Sequence, residues 1–375
     1  TNAVITFGAV TLAGTTELDT NAAANSADLT LGAVTSGGNN LTLDTSAVAG
    51  AAISVASFAG GGVLTIRDSG GTTFAGTVAA ATVALTDTTG TIQFSDNLTV
   101  TTALTTASEA YLVSILGSAN VIAGTTTFLN TGVVTLGNAG GDSTTFTAGL
   151  VATAPSALNI AGTVAANTST STMALGDGDT NVAVTANTTV GGAATGLIDI
   201  GDATLVDGAT LTVGTGIANP INLDKVTGTA SGAVSSLTIN TSGLVNVAEA
   251  VGTDIGVVTL TQSGGTTFAD TVAAVTVTLT DTTGTIAFNG NLTVTTALTT
   301  AGQDYAVSIL GGSNTIAGTT TFSNTGGVTL GNGGDTVAFT AGVISTASTT
   351  TTSATISATN AVITFGAVTL AGTTE

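Results

Sequence analysis

The chain has 375 residues, of which 43% are apolar and 3% aromatic, with 51 glycines and neither cysteine nor histidine. Two basic residues, Arg67 and Lys225, stand against 22 acidic ones for a net charge of -20, which leaves no cationic footprint for nucleic acid and disfavours anionic membrane surfaces. Without histidine or cysteine, Ser-His-Asp and Cys-His triads and histidine-ligated zinc are excluded, and a glycosidase carboxylate pair would lack aromatic and cationic groups to hold its sugar, so no enzyme is expected.

Taken in chain order, alternation of apolar residues and threonine with period two predicts strands at VITFGAVTL from Val4, LTLDTSAV from Leu41, VLTIRD from Val63, ATVALTD from Ala81 and TIQFSDNLTV from Thr91. The next segment, TTALTTASEAYLVSIL from Thr101 to Leu116, reads as helix before VSIL turns to strand, and so does its counterpart from Thr295. Strand resumes at TTTFLNTGVVTLGN from Thr125 and recurs as late as TVAFTAG from Thr336. TTG, NTG, GNGG and SGG separate these runs with residues that tolerate positive φ. No apolar run reaches the roughly 18 to 20 residues of a spanning helix, so no membrane insertion is expected within this segment.

Repetition occurs at two levels. Residues 1–17, TNAVITFGAVTLAGTTE, return unchanged at 359–375, so 1–358 reads as one full tandem repeat and 359–375 as the start of the next. Inside it, Gly71–Gly140 matches Gly265–Gly334 at 54 of 70 ungapped positions, an offset of 194, and the similar blocks extend over 41–149 and 237–342. One residue is lost between GNAGGDS and GNGGD, which a turn absorbs more readily than a packed strand, so a loop is expected there.

Turn signals every roughly eight to twelve residues suit a sandwich, a barrel or a solenoid. The scarcity of aromatics, and a repeat that is no multiple of one immunoglobulin-like unit of roughly 100 residues, favour an all-β parallel β-helix, a β-solenoid repeat array, with stacked β-sandwich domains as the alternative. Coils of roughly 20 residues rising roughly 4.8 Å each would extend one 358-residue repeat by about 85 Å. Phe74, Phe94, Phe128 and Phe146, matched by Phe268, Phe288, Phe322 and Phe339, are expected as core fillers or stacked ladders. Tyr111 and Tyr305, paired across the blocks, are expected at the edge of the core, with a surface contact as the alternative.

The strings GVVTLGN, GTTTFLNTG and TIQFSDNLTV, in a Thr/Asn/Gly-rich grammar, resemble the passenger regions of autotransporters and filamentous-haemagglutinin-type adhesins, and the low-lysine, cysteine-free style is similar to that of bacterial surface-layer proteins. The resemblance implies secretion, a right-handed β-helix and an extracellular or cell-surface location. The expected role is a structural repeat of a long filament, sheath or stalk that self-associates. The alternatives are an adhesin with an unidentified host or surface ligand, and a calcium-dependent surface-layer protein.

Calcium is the one cofactor for which residues suggest themselves. In LGDGDTNVAV from Leu175, Asp177 and Asp179 flank Gly178 as in Gly-Asp calcium turns, but the string occurs once, whereas such sites share each ion between successive copies. Asp142 and Asp335 lie in similar isolated fragments, and Asp87 and Asp281 recur in TDTTGTI. For all of these the plainer expectation is a side chain that closes its own turn. Asn40, Asn97, Asn167, Asn187, Asn240 and Asn291 satisfy the N-glycosylation pattern, as chance provides in so threonine-rich a chain.

Overall fold

The computed structural model describes residues 4–20, 27–46, 51–86, 89–280, 283–372 and 374–375. Among them every regular element is a strand, and the chain divides into two compact units, Thr1–Ala194 and Thr195–Glu375. No helix among the described residues is long and apolar enough to cross a membrane.

In the first unit the chain winds in coils. Thr72 lies beside Ile92, Ile92 beside Val113 and Val113 beside Val134, so successive coils on this wall are 20, 21 and 21 residues apart. A second wall stacks Thr99, Val121 and Thr145, and a third stacks Leu41, Leu64, Val83 and Leu104. Every one of these pairings is parallel, because a chain that returns to a wall after a full circuit runs in its original direction. A stack of β-sandwiches would pair its strands antiparallel, so the expected β-solenoid is the architecture realised and the sandwich alternative is not.

Alternation along each short strand sends one set of side chains inward and the other to solvent. Phe74, Phe94, Ile115, Leu136 and Ile160 form one continuous inward column in ladder register, and each is fully buried. The phenyl rings of Phe74 and Phe94 stack at 5.1 Å with 6° between their planes. Burial of each such side chain contributes about 1.5–3 kcal/mol, so a narrow core without tryptophan is stabilised by repetition of small contributions. The adjacent outward column is Thr73, Gln93, Ser114, Thr135 and Asn159, polar throughout.

The second unit repeats the device. Val247, Phe268, Phe288, Ile309 and Leu330 stand in ladder register, with Phe268 and Phe288 stacked at 5.0 Å, so the 194-residue offset in sequence is matched by an equivalent core column within this unit. Phe128 with Phe146, and Phe322 with Phe339, meet edge-on at 6.1 Å in both cases.

Two expectations need correction. The helix expected over 101–116 is instead the strands Leu98–Thr106 and Leu112–Ile115, and its counterpart is Leu292–Thr300 and Ala306–Ile309. The reason is an irregularity between Val100 and Ala103, where the strand bends from one wall to the next and its register shifts. Thr101 and Thr102 are both exposed at the bend, so the alternation is interrupted between the inward Val100 and Leu104, and the period of two that marks a strand is lost there. The loop expected at GNAGGDS is present as a turn after Leu136, but its shorter counterpart lies inside the strand Val328–Phe339, as an irregularity between Leu330 and Asp335. The extra residue is thus absorbed at a corner.

Corners bring coils close enough to demand glycine. A Cβ at Gly90 would lie 2.1 Å from Gly70 O, and at the equivalent Gly284 2.3 Å from Gly264 O, so the backbones there could not stack with any side chain present.

Candidate functional site

Asp177 and Asp179 occupy one exposed turn between the strands Met173–Leu175 and Asn181–Gly192. Gly176 enters it with φ of 67°, in the left-handed region, and Asp177 Oδ1 then accepts from the backbone N–H of Asp179 (3.0 Å) and of Thr180 (2.9 Å). Buried Thr180 donates its hydroxyl to Pro155 O (2.6 Å), which ties the turn to the preceding coil. The two aspartates are brought together, but the Asp177 carboxylate already closes the turn, and among the described residues no three His, Cys, Asp or Glu side chains gather as a metal cluster.

The other acidic candidates follow the same logic. Asp142 Oδ2 accepts from Asn138 N–H (2.8 Å) and Ala139 N–H (2.9 Å), and Asp335 Oδ2 accepts from Asn332 N–H (2.6 Å). Asp87 and Asp281 lie outside the described residues. Four of the six asparagines with the glycosylation pattern use Oδ1 to accept a backbone N–H of the next coil: Asn40 from Val63, Asn97 from Ala119, Asn167 from Ala193 and Asn291 from Ser313.

Tyr111 and Tyr305 are fully buried, not surface contacts. Tyr111 Oη donates to Leu85 O (3.0 Å) and accepts from Ala107 N–H (2.9 Å), and Tyr305 repeats this with Leu279 O and Ala301 N–H at 2.9 Å each. Burial pushes the Tyr111 hydroxyl up to about 12 and raises that of Tyr305.

A set of residues that sequence reasoning missed is the buried asparagine straps. Asn120 Oδ1 accepts from Leu98 N–H (3.0 Å) on one neighbouring coil, while its Nδ2 donates to Gly117 O (2.6 Å) within its own coil and to Thr144 Oγ1 (3.1 Å) on the other neighbour. One side chain therefore links three consecutive coils. Asn314, 194 residues later, accepts from Leu292 N–H (2.9 Å) and donates to Gly311 O and to Thr336 O (3.2 Å). Asn130 and Asn324 form a second pair, each of which reaches one neighbouring coil by donating to Tyr111 O (3.1 Å) and Tyr305 O (3.0 Å) respectively. The available signal was the retention of both asparagines at the same offset amid substituted neighbours.

Charge and shape offer little chemistry. Arg67 pairs with Glu17 and with Asp44 (3.4 Å), Lys225 pairs with Asp202, and in each case the hydrogen bond to the carboxylate raises the pKa of the cation. A surface depression of about 420 Å³ is lined by Pro220, Asn222, Leu244, Asn246, Thr267 and Thr285 among others, with no titratable side chain. Its lining can hydrogen-bond and pack, but it holds no acid, base or nucleophile poised for a reaction. No protein-family model matches the chain, and no curated protein or solved structure matches it significantly.

Proposed function

We propose that this chain is the structural repeat of a long extracellular filament, sheath or stalk, and that its work is mechanical. The observation that carries the reading is the architecture itself: parallel coils stacked wall on wall, with asparagine straps at Asn120 and Asn314 tying neighbouring coils together. In such a stack the interstrand hydrogen bonds run along the direction of stacking, and each coil contacts only its neighbours, so length is gained by adding repeats without redesigning the core. The unchanged return of residues 1–17 at 359–375 fits a sequence selected for concatenation.

The acidic surface supports a solvated exterior that keeps long polymers apart, and both cations engage carboxylates instead of standing free for a polyanion. The cysteine-free composition and the textural resemblance to secreted β-helix proteins support a location outside the cell. The test is immunogold labelling of source cells with an antibody raised against the chain. Gold along surface fibres, a sheath or stalks is the expected pattern; label confined to the cell interior would refute the reading.

A further inference from the structure

The segment TNAVITFGAVTLAGTTE occurs twice, and its two copies meet neighbours on opposite sides. The first copy carries the strands Val4–Phe7 and Val10–Thr11, which pair with Asp28–Thr35 of the coil that follows. The second carries Ile363–Phe365 and Val368–Leu370, which pair with Val343–Ser345 and Thr350–Thr352 of the coil that precedes. One sequence thus displays, in two places, the partner above it and the partner below it.

The backbone groups used for the two ladders do not overlap. Toward the following coil, the first copy uses Gly8 O, which accepts from Gly32 N–H, together with Leu12 N–H and Thr16 N–H, which donate to Thr35 O and Asn40 O. Toward the preceding coil, the second copy uses Val362 O, Gly366 N–H, Ala367 O, Ala371 N–H and both groups of Glu375. In first-copy numbering, a shift of 358, these are the O of Val4, the N–H of Gly8, the O of Ala9, the N–H of Ala13 and both groups of Glu17. Alternate groups pointing to opposite sides is the requirement for a strand held within a sheet and not at its edge.

The side chains agree. Ile5 and Phe7 are in register with buried Leu29 and Leu31, so they belong to an inward column, yet they are 39% and 41% exposed. Ile363 is in register with buried Val343 and is also 39% exposed, and Leu370 is 67% exposed. Each copy leaves open the apolar face that the other copy covers.

From this complementarity we propose that consecutive repeats join without a break: the shared 17-residue segment forms one coil, seated at once on the 343–357 region of one repeat and beneath the 28–44 region of the next. The partner for each open face is a second copy of this same chain, in tandem. The inference concerns the junction alone and holds whatever role the array serves.

The test uses the absence of cysteine, which makes every introduced thiol a unique label. Thr351 lies beside Thr369, and Thr11, the same repeat position as Thr369, lies beside Thr35. A two-repeat chain, residues 1–358 followed by 1–375, is labelled with nitroxides through Thr351→Cys in the first repeat and Thr35→Cys in the second. A continuous junction places the two backbones two ladder steps apart, roughly 10 Å, with a narrow distance distribution by electron paramagnetic resonance. A broad distribution, or a mean separation beyond roughly 20 Å, would overturn the proposal. Should the labelled chain not fold, amide exchange on the unmodified 375-residue chain decides. Leu12 and Thr16 should be protected while Leu370 and Thr374 exchange at least roughly tenfold faster, and Gly366 and Ala371 protected while Gly8 and Ala13 exchange faster. Protection of the same positions in both copies would refute the alternation on which the junction depends.

Discussion

Replacement of Asn120 by alanine should loosen three coils at once. The side chain is buried, and its removal leaves Leu98 N–H without its acceptor and Gly117 O without its donor, and takes from Thr144 Oγ1 the amide that donates to it. A buried backbone group left unsatisfied costs about 1–3 kcal/mol, so two of them together come to about 2–6 kcal/mol, and to about 3 kcal/mol where water reaches part of the opened site. Because a solenoid opens locally and need not unfold as one body, the appropriate assay is hydrogen exchange at the Leu98 amide, where about 3 kcal/mol corresponds to roughly 150-fold faster exchange. Asn97→Ala is the control: Asn97 also accepts from the next coil, at Ala119 N–H, but at the exposed surface, and its loss should cost less than about 1 kcal/mol. Asn120→Asp should also destabilise at neutral pH, because one carboxylate oxygen would face Gly117 O, and it should recover on acidification as protonation restores a donor. If Asn120→Ala accelerated exchange no more than Asn97→Ala, the asparagine would be a passenger and the strapping argument would fail.

Phe94→Ala should cost about 3–5 kcal/mol by removing a stacked ring from the centre of an inward column, whereas Leu129→Ala, at an exposed position, should cost under about 1 kcal/mol; denaturant titration of both variants compares them. On the alkaline side, burial raises Tyr111 from 10.0 to about 12, so the folded state holds its proton more tightly. The stability this contributes is complete below pH 10 and is lost as pH rises towards 12, and tyrosinate absorbance should therefore appear together with unfolding; ionisation near pH 10 with the fold intact would contradict the burial. Chelation of divalent cations should leave the melting temperature unchanged, since Asp177 is engaged with the backbone of its own turn; a fall of tens of degrees would favour a calcium-dependent lattice.

The fold was legible because period-two alternation survives in almost every strand, and because the phenylalanines at 74, 94, 268 and 288 recur with the spacing of one coil and of one sub-repeat. The segment from Thr101 does not read as strand because a bend between walls puts two consecutive threonines, Thr101 and Thr102, outward and so breaks the alternation on which a strand is recognised. The acidic candidates were legible as turn closers from their Gly and Asn neighbours, and the geometry at Asp177, Asp142 and Asp335 follows that reading. The asparagine straps leave only the faint signal of recurrence at the 194-residue offset, because the groups Asn120 reaches on other coils lie 22 and 24 residues away and nothing local distinguishes it from a turn asparagine.

The stacking itself is tested most directly by pairwise cysteines on the outward column Thr73, Gln93, Ser114, Thr135 and Asn159. Neighbours in a parallel ladder stand roughly 4.8 Å apart, within the span a disulfide bridges, whereas positions two coils apart stand roughly 9.6 Å apart, beyond it. The account predicts that Thr73→Cys with Gln93→Cys, Gln93→Cys with Ser114→Cys, and Ser114→Cys with Thr135→Cys each oxidise readily, while Thr73→Cys with Ser114→Cys does not. Failure of the adjacent pairs to close, or ready closure of the pair that skips a coil, would contradict the solenoid.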